Sequence, residues 1–142
     1  IGNQSTNEDI PIVINLNVTD VDSTLNCATS LSAASTNNVL VPVANVVFGG
    51  TVPNCTATVT PAANGNGASD LTFTVTDSGM PILTDFETFT FTVNAVNDAP
   101  VLAPIGNQST NEDTPLVINL NITDVDSVLN CATSLTAGST NT

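Results

Sequence analysis

The feature that most constrains the fold of this chain is an internal repeat. Residues 105–140 repeat residues 1–36 at an offset of 104, and only six of the 36 aligned positions differ. This period is too long for a solenoid repeat of ~20–50 residues, but it suits a β-sandwich of about 100 residues. We therefore predict one nearly complete module over residues 1–98. Residues 99–142 are predicted to open a second, truncated module, which is completed by further chain or by a neighbour, or else is frayed.

Apolar residues alternate with polar ones along most of the first module. Leu71, Phe73 and Val75 alternate with threonines, for example, and clusters of Gly, Pro, Asn and Asp separate the alternating runs. A period of two indicates strands that bury one face, and no segment has the pattern of a helix. We predict an all-β sandwich of about seven strands, at approximately 2–7, 10–19, 26–34, 39–48, 55–60, 71–76 and 86–95.

The charge balance excludes several classes of function. Thirteen acidic residues give a formal net charge of −13, since the chain contains no Lys, Arg or His. A chain of this charge does not bind nucleic acid or anionic membranes by electrostatics. It also lacks the residues for a Ser–His triad or a Schiff base, and no stretch approaches the ~20 apolar residues of a membrane span. We expect neither an enzyme nor membrane insertion.

Two cysteines of the first module are predicted to point inward. Cys27 shares the strand parity of Leu25 and Leu31, and Cys55 shares that of Ala57. A Cys27–Cys55 disulfide suits a secreted module, and the alternative is a pair of buried free thiols. Cys131 is the repeat-mate of Cys27, whereas the mate of Cys55 would fall at position 159.

The acidic residues are grouped in short motifs with Asn, Ser and Gly. Ca²⁺ takes six to eight oxygen ligands from carboxylates, amide carbonyls and backbone. Asp and Asn are also common turn formers, so any single motif has a purely structural explanation. Since no basic residue neutralises the set, we predict that Ca²⁺ does. The motifs contain Glu8, the pair Asp20 and Asp22, Asp77, the pair Asn97 and Asp98, Glu112, and the pair Asp124 and Asp126.

The order of three of these motifs resembles a known family. The runs TDVDS at 19–23, VTDSG at 75–79 and VNDAPV at 96–101 look like those of cadherin-type modules. The resemblance is closest to the cadherin-like tandem repeats of very large bacterial surface proteins. It implies an Ig-like (cadherin-like) β-sandwich repeated head to tail.

The resemblance also implies a distribution of calcium ligands, because cadherins hold Ca²⁺ between consecutive modules. The junction inside this chain would use Glu8, Asn97, Asp98, Asp124 and Asp126. A preceding module would face Asp20, Asp22 and Asp77, and Glu112 would serve the next junction. The cadherin linker has an Asp and a second Asn where this chain has Asn94-Ala95 and Ala99, so we expect only one or two ions per junction.

These features favour a structural role at the cell surface. We expect an extracellular, adhesive or spacer module that Ca²⁺ stiffens and whose partners are neighbouring copies of the same module. One alternative is a segment or subunit of an extracellular filament held by module packing. Another is a module that binds carbohydrate or a cell surface, although the chain has no Trp or Tyr to stack on sugar rings.

Overall fold

The computed structural model describes residues 1–140, and the protein is all β. The chain divides into two compact units, Ile1–Val96 and Asn97–Thr142, of which the last two residues lie outside the described part. Each unit is described by itself below. The assignment of residues 1–98 and 99–142 to successive modules stays a prediction.

The first unit is built from two sheets. Its strands are β1 Gln4–Asn7, β2 Ile12–Asn17, β3 Leu31–Ser35, β4 Val46–Thr51, β5 Asn54–Val59, β6 Gly67–Thr76 and β7 Thr84–Asn94. One sheet has the order β1-β7-β6-β3 and the other the order β2-β5-β4. The pairing of β1 with β7 is parallel, and all other pairings in this unit are antiparallel.

The core lies between these two sheets. The inward residues of β2 and β5 pack against the inward residues of β6 and β7, and the threonines between them occupy the outer faces. Phe73 makes edge-to-face contacts with Phe48 and Phe89 at ring distances of 5.2 and 5.1 Å. The predicted Cys27–Cys55 disulfide is present, with both residues buried and a Cα–Cα distance of 5.5 Å.

Two predicted strands, 26–34 and 39–48, begin at least five residues later than the alternation indicated, at Leu31 and Val46. Residues 26–30 form a turn, because the Asn26 side chain accepts the Ala28 N–H at 2.9 Å and its carbonyl accepts the Ser30 N–H at 2.8 Å. Residues 39–45 form a loop with a 3-10 turn at Val43–Asn45, which follows Pro42. Strands β6 and β7 instead begin earlier than predicted, at Gly67 and Thr84.

The second unit has little regular structure. It contains β8 Val101–Leu102, β9 Ile122–Thr123 and a short helix, α1 Cys131–Ser134, where no helix was predicted. Strands β8 and β9 pair antiparallel. Apolar residues that repeat the β2 core positions are 43–45% exposed here: Leu116, Ile118 and Leu120. No helix in the described part of the chain is long and apolar enough to span a membrane.

Candidate metal centre

Asp20 organises the turn that follows β2. Its Oδ1 accepts the backbone N–H groups of Asp22 at 3.0 Å and Ser23 at 2.7 Å. These two hydrogen bonds stabilise the ionised form and lower the pKa of the Asp20 carboxyl, and the bond from Asp22 has the larger effect. The Asp-x-Asp-Ser sequence thus folds into a turn around a carboxylate that stays charged.

Asp22 lies beside this carboxylate, and its pKa is shifted in the opposite direction. A side-chain hydrogen bond to Asp20, followed by the negative charge of Asp20 and of Asp77, raises the pKa of Asp22. A second carboxylate therefore ionises here against the field of its neighbours. A bound cation would relieve that repulsion.

Asp77 follows β6 at the same end of the unit. Its Oδ1 accepts the Leu83 N–H at 2.8 Å, and its own N–H donates to the Leu83 carbonyl at 3.1 Å. Asp77 lines a cavity of about 470 Å³ together with Asp20, Asp22 and Asp85. Within residues 1–140, however, no three acidic or cysteine side chains converge closely enough to form a ready-made metal cluster. The cavity offers carboxylate oxygens to a cation without being a preformed cage.

Glu8 lies at the other end of the unit, where β1 and β7 finish side by side. Its N–H donates to the Asn94 carbonyl at 2.9 Å, and its Oε1 accepts the Val96 N–H. The side chain is only 4% exposed, and Oε2 has no hydrogen-bond partner among the described residues. A buried carboxylate oxygen is costly unless it is paired or bound to a metal. Glu8 therefore fits the role of a calcium ligand.

The second unit repeats the first turn. Asp124 accepts the N–H groups of Asp126 at 2.9 Å and Ser127 at 2.7 Å, as Asp20 does in the first unit. The Oδ2 of Asp126 accepts the N–H of Asp98, and the Asn97 side chain donates to the Asp98 carbonyl at 3.0 Å. Hydrogen bonds thus link the linker residues to the Asp-x-Asp turn.

The remaining predicted ligands have different surroundings. Glu112 repeats Glu8 in sequence, but it is exposed. Glu8 belongs to the first unit, whereas its predicted companions at the junction belong to the second. The five-residue junction site therefore stays a prediction.

Asp85 is a cavity residue that the sequence analysis did not include among the candidate ligands. It pairs in register with Val75, two residues before Asp77, so the β6–β7 ladder carries it to the acidic cavity. Its acidity and its position near the start of a Thr/Phe strand were visible in the sequence. The register that brings it near Asp77 was not.

Comparison with known proteins adds no residue assignment to these carboxylates. No protein-family model matches the chain, and neither does any curated protein or any solved structure.

Proposed function

We propose that this chain is a non-enzymatic spacer of an extracellular surface protein, built from Ig-like (cadherin-like) sandwiches that Ca²⁺ stiffens at their junctions. The observation that carries the proposal is the carboxylate of Glu8, which is buried and has one oxygen without a partner in the described part of the chain. Such an oxygen is suited to a metal ion, and a hard cation prefers oxygen ligands.

The distribution of the acids supports this proposal. In the first unit, Asp20, Asp22 and Asp77 lie at the end where β7 begins, and Glu8 lies at the end where β7 finishes. A tandem array of such units carries carboxylates at both ends of every module. The chain contains no Lys, Arg or His that could neutralise these carboxylates.

The proposed mechanism is mechanical. Bound Ca²⁺ supplies positive charge and a shared set of oxygen ligands at a junction. Glu8, Asn97, Asp98, Asp124 and Asp126 are the residues that would hold it. Without the ion, the ionised carboxylates repel one another and the linker between modules is free to bend. The Cys27–Cys55 disulfide supports the extracellular part of the proposal, because disulfides persist in oxidising compartments.

Calorimetric titration of the chain with CaCl₂ tests the proposal, with MgCl₂ as the comparison and NaCl holding the ionic strength constant. We expect saturable binding of Ca²⁺ that is tighter than binding of Mg²⁺. The combined Asp124→Asn and Asp126→Asn substitutions should abolish the tighter binding. Equal heats with both ions, unchanged by the substitutions, would mean that a chain of charge −13 merely attracts counterions, and the proposal would fail.

A further inference from the structure

A long continuous stretch of the first unit carries no charge. Residues 23–69 contain no acidic or basic residue, so every acidic residue of the first unit lies outside this stretch. The stretch includes β3, β4 and β5. Two copies of a chain with a net charge of −13 repel each other wherever their acidic surfaces meet. The uncharged stretch is therefore where two copies approach each other at the lowest electrostatic cost.

Strand β4 forms an open edge within this stretch. It pairs with β5 alone among the described strands and ends the β2-β5-β4 sheet. Its sequence, Val46–Thr51, has neither a charged residue nor a proline, the features that commonly protect an edge strand from pairing with another chain. Val46 and Phe48 pack against the core, whereas Val47 lies on the outer face and is 62% exposed. The edge is thus an unprotected template for a further strand.

The hydrogen bonds between β4 and β5 determine which backbone groups of β4 point to the open side. The Thr60 N–H donates to the Asn45 carbonyl at 3.1 Å, and these two residues extend the β4–β5 register by one pair. Hydrogen-bonded and non-hydrogen-bonded pairs alternate along an antiparallel ladder. Val47 and Gly49 therefore direct their N–H and C=O groups toward β5. Phe48 directs both of its backbone groups to the open side.

The other strands of the first unit that end a sheet are less suited to pairing between copies. Strand β2 lies between Asp9 and Asp20 in the chain, and β1 is directly followed by Glu8, so like charges would meet there. Strand β3 carries no exposed large apolar side chain, because its Leu31 already packs against the core. Only β4 combines uncharged flanking residues with an exposed apolar side chain.

We propose that β4 of one copy pairs antiparallel with β4 of a second copy, so that the two β2-β5-β4 sheets join into one continuous sheet. The Val46 N–H is already bonded to the Val43 carbonyl of its own chain, so the two-fold axis lies at Phe48. The two Phe48 residues then exchange both backbone hydrogen bonds of an antiparallel pair. The contact is isologous and closes as a dimer, and it does not involve the proposed calcium ligands.

A glycine in β4 allows the two strands to approach closely. In this register Val47 lies opposite Gly49 of the second copy, in a non-hydrogen-bonded pair whose Cα atoms are ~4.5 Å apart. A glycine within a strand often marks a close approach of another backbone. The Val47 side chain, which is exposed in the single copy, would cover the bare backbone at Gly49. Main-chain hydrogen bonds would supply the affinity, and this apolar contact would add to it.

Charge substitutions on the two edges of the same sheet test the surface. Val47→Glu places like charges at the proposed contact. Val13→Glu is the matched control, because Val13 is 58% exposed on the outer face of β2 and both valines pair with Thr58. Sedimentation velocity in EDTA and 0.5 M NaCl should show a wild-type mass that rises with concentration toward that of a dimer. Val47→Glu should lower the association constant at least tenfold, and Val13→Glu should leave it unchanged. A monomeric wild type, or equal effects of both substitutions, would overturn the proposal.

Cysteine cross-linking tests the register. Val47→Cys and Gly49→Cys are made separately in a Cys131→Ser background; a Cβ at Gly49 would meet only the Thr56 hydroxyl oxygen, at 3.7 Å. Mixed with oxidised glutathione in EDTA, the two variants should form a covalent dimer, because Cα atoms ~4.5 Å apart suit a disulfide. Each variant alone should give at least tenfold less dimer, since its cysteines are then diagonal neighbours ~7–8 Å apart. Monomer from the mixture, or equal dimer from either variant alone, would overturn the proposal. Because both tests exclude Ca²⁺, their outcome is independent of the calcium proposal.

Discussion

Replacing Glu8 by Gln separates the charge of this side chain from its shape. Gln keeps a carbonyl oxygen that can accept the Val96 N–H, which Glu8 Oε1 accepts in the wild type. It replaces the unpartnered, buried Oε2 by an NH₂ group, whose nitrogen cannot bind a cation. The substitution therefore removes the proposed ligand and leaves the packing at the end of β1 and β7 nearly unchanged.

The expected effect follows from the size of the first unit. A ligand at 100 times its dissociation constant stabilises the folded state by about 2.7 kcal/mol. Unfolding entropy of about 2.1 cal/mol/K per residue amounts to about 0.2 kcal/mol/K for the unit Ile1–Val96. Saturating Ca²⁺ should therefore raise its unfolding midpoint by about 13 °C. We expect Glu8→Gln to abolish this rise.

Without Ca²⁺ the same substitution should act in the other direction. A buried carboxylate with one unpartnered oxygen costs more than a buried amide, so the variant should be at least as stable as the wild type in chelator. Scanning calorimetry at matched ionic strength measures both effects. Glu87→Gln is the control, because Glu87 is exposed on β7 and lies outside the proposed ligand set. A Glu8→Gln variant that keeps the full calcium-dependent rise would refute the reasoning.

Three further variants address the fold and the acidic cavity. Replacing Cys27 and Cys55 together by Ala should destabilise the first unit by about 3.6 kcal/mol in the loop-entropy model, since the disulfide spans 28 residues; a loss below 1 kcal/mol in urea unfolding would contradict it. Asp22→Asn should raise the unfolding midpoint in chelator at pH 7. The pKa of Asp22 is raised from 3.8, chiefly by Asp20, so the stabilising contribution of Asp22 is present below pH 3.8 and lost at higher pH. The Asp22→Asn variant should therefore lack the gain in stability that the wild type shows on acidification. A plot of unfolding midpoint against pH that runs parallel to that of the wild type would argue against this role of Asp22. Phe91→Ala should cost about 3–5 kcal/mol, because Phe91 is fully buried, and denaturant titration measures that loss.

The sequence allowed the sheets to be predicted where side chains alternate and failed where local hydrogen bonds override the alternation. The all-β class and the inward direction of Cys55 followed from residue parity, whereas Cys27 is buried in a turn. The strand predicted over residues 26–34 was wrong at its start, because the Asn26 side chain competes for backbone N–H groups. Residues 39–45 are apolar enough for a strand, yet Pro42 and the 3-10 turn divert them into a loop that still buries Leu40 and Val41.

The candidate site was predictable to the extent that it is local. Asp20 and Asp124 cap turns whose residues adjoin them in sequence, so the motif alone located these carboxylates. The burial of Glu8 depends on the parallel pairing of β1 with β7, which joins residues 87 positions apart. The identical motif around Glu112 leaves that carboxylate exposed, because no equivalent of β7 is present in the second unit among the residues that the structure describes.

The parallel pairing of β1 with β7 also determines how the first unit would carry a pulling force. Tension applied through Ile1 and Val96 runs along both strands, because β1 and β7 point the same way and are joined from Gln4–Phe91 to Asn7–Asn94. Their hydrogen bonds lie perpendicular to the direction of force and must therefore rupture together in shear, rather than one after another. If the ladder fails, the Cys27–Cys55 disulfide still withholds the chain between the two cysteines from extension. A tandem array of such units would resist sudden load, and each unit that unfolds would lengthen the array only by a limited amount.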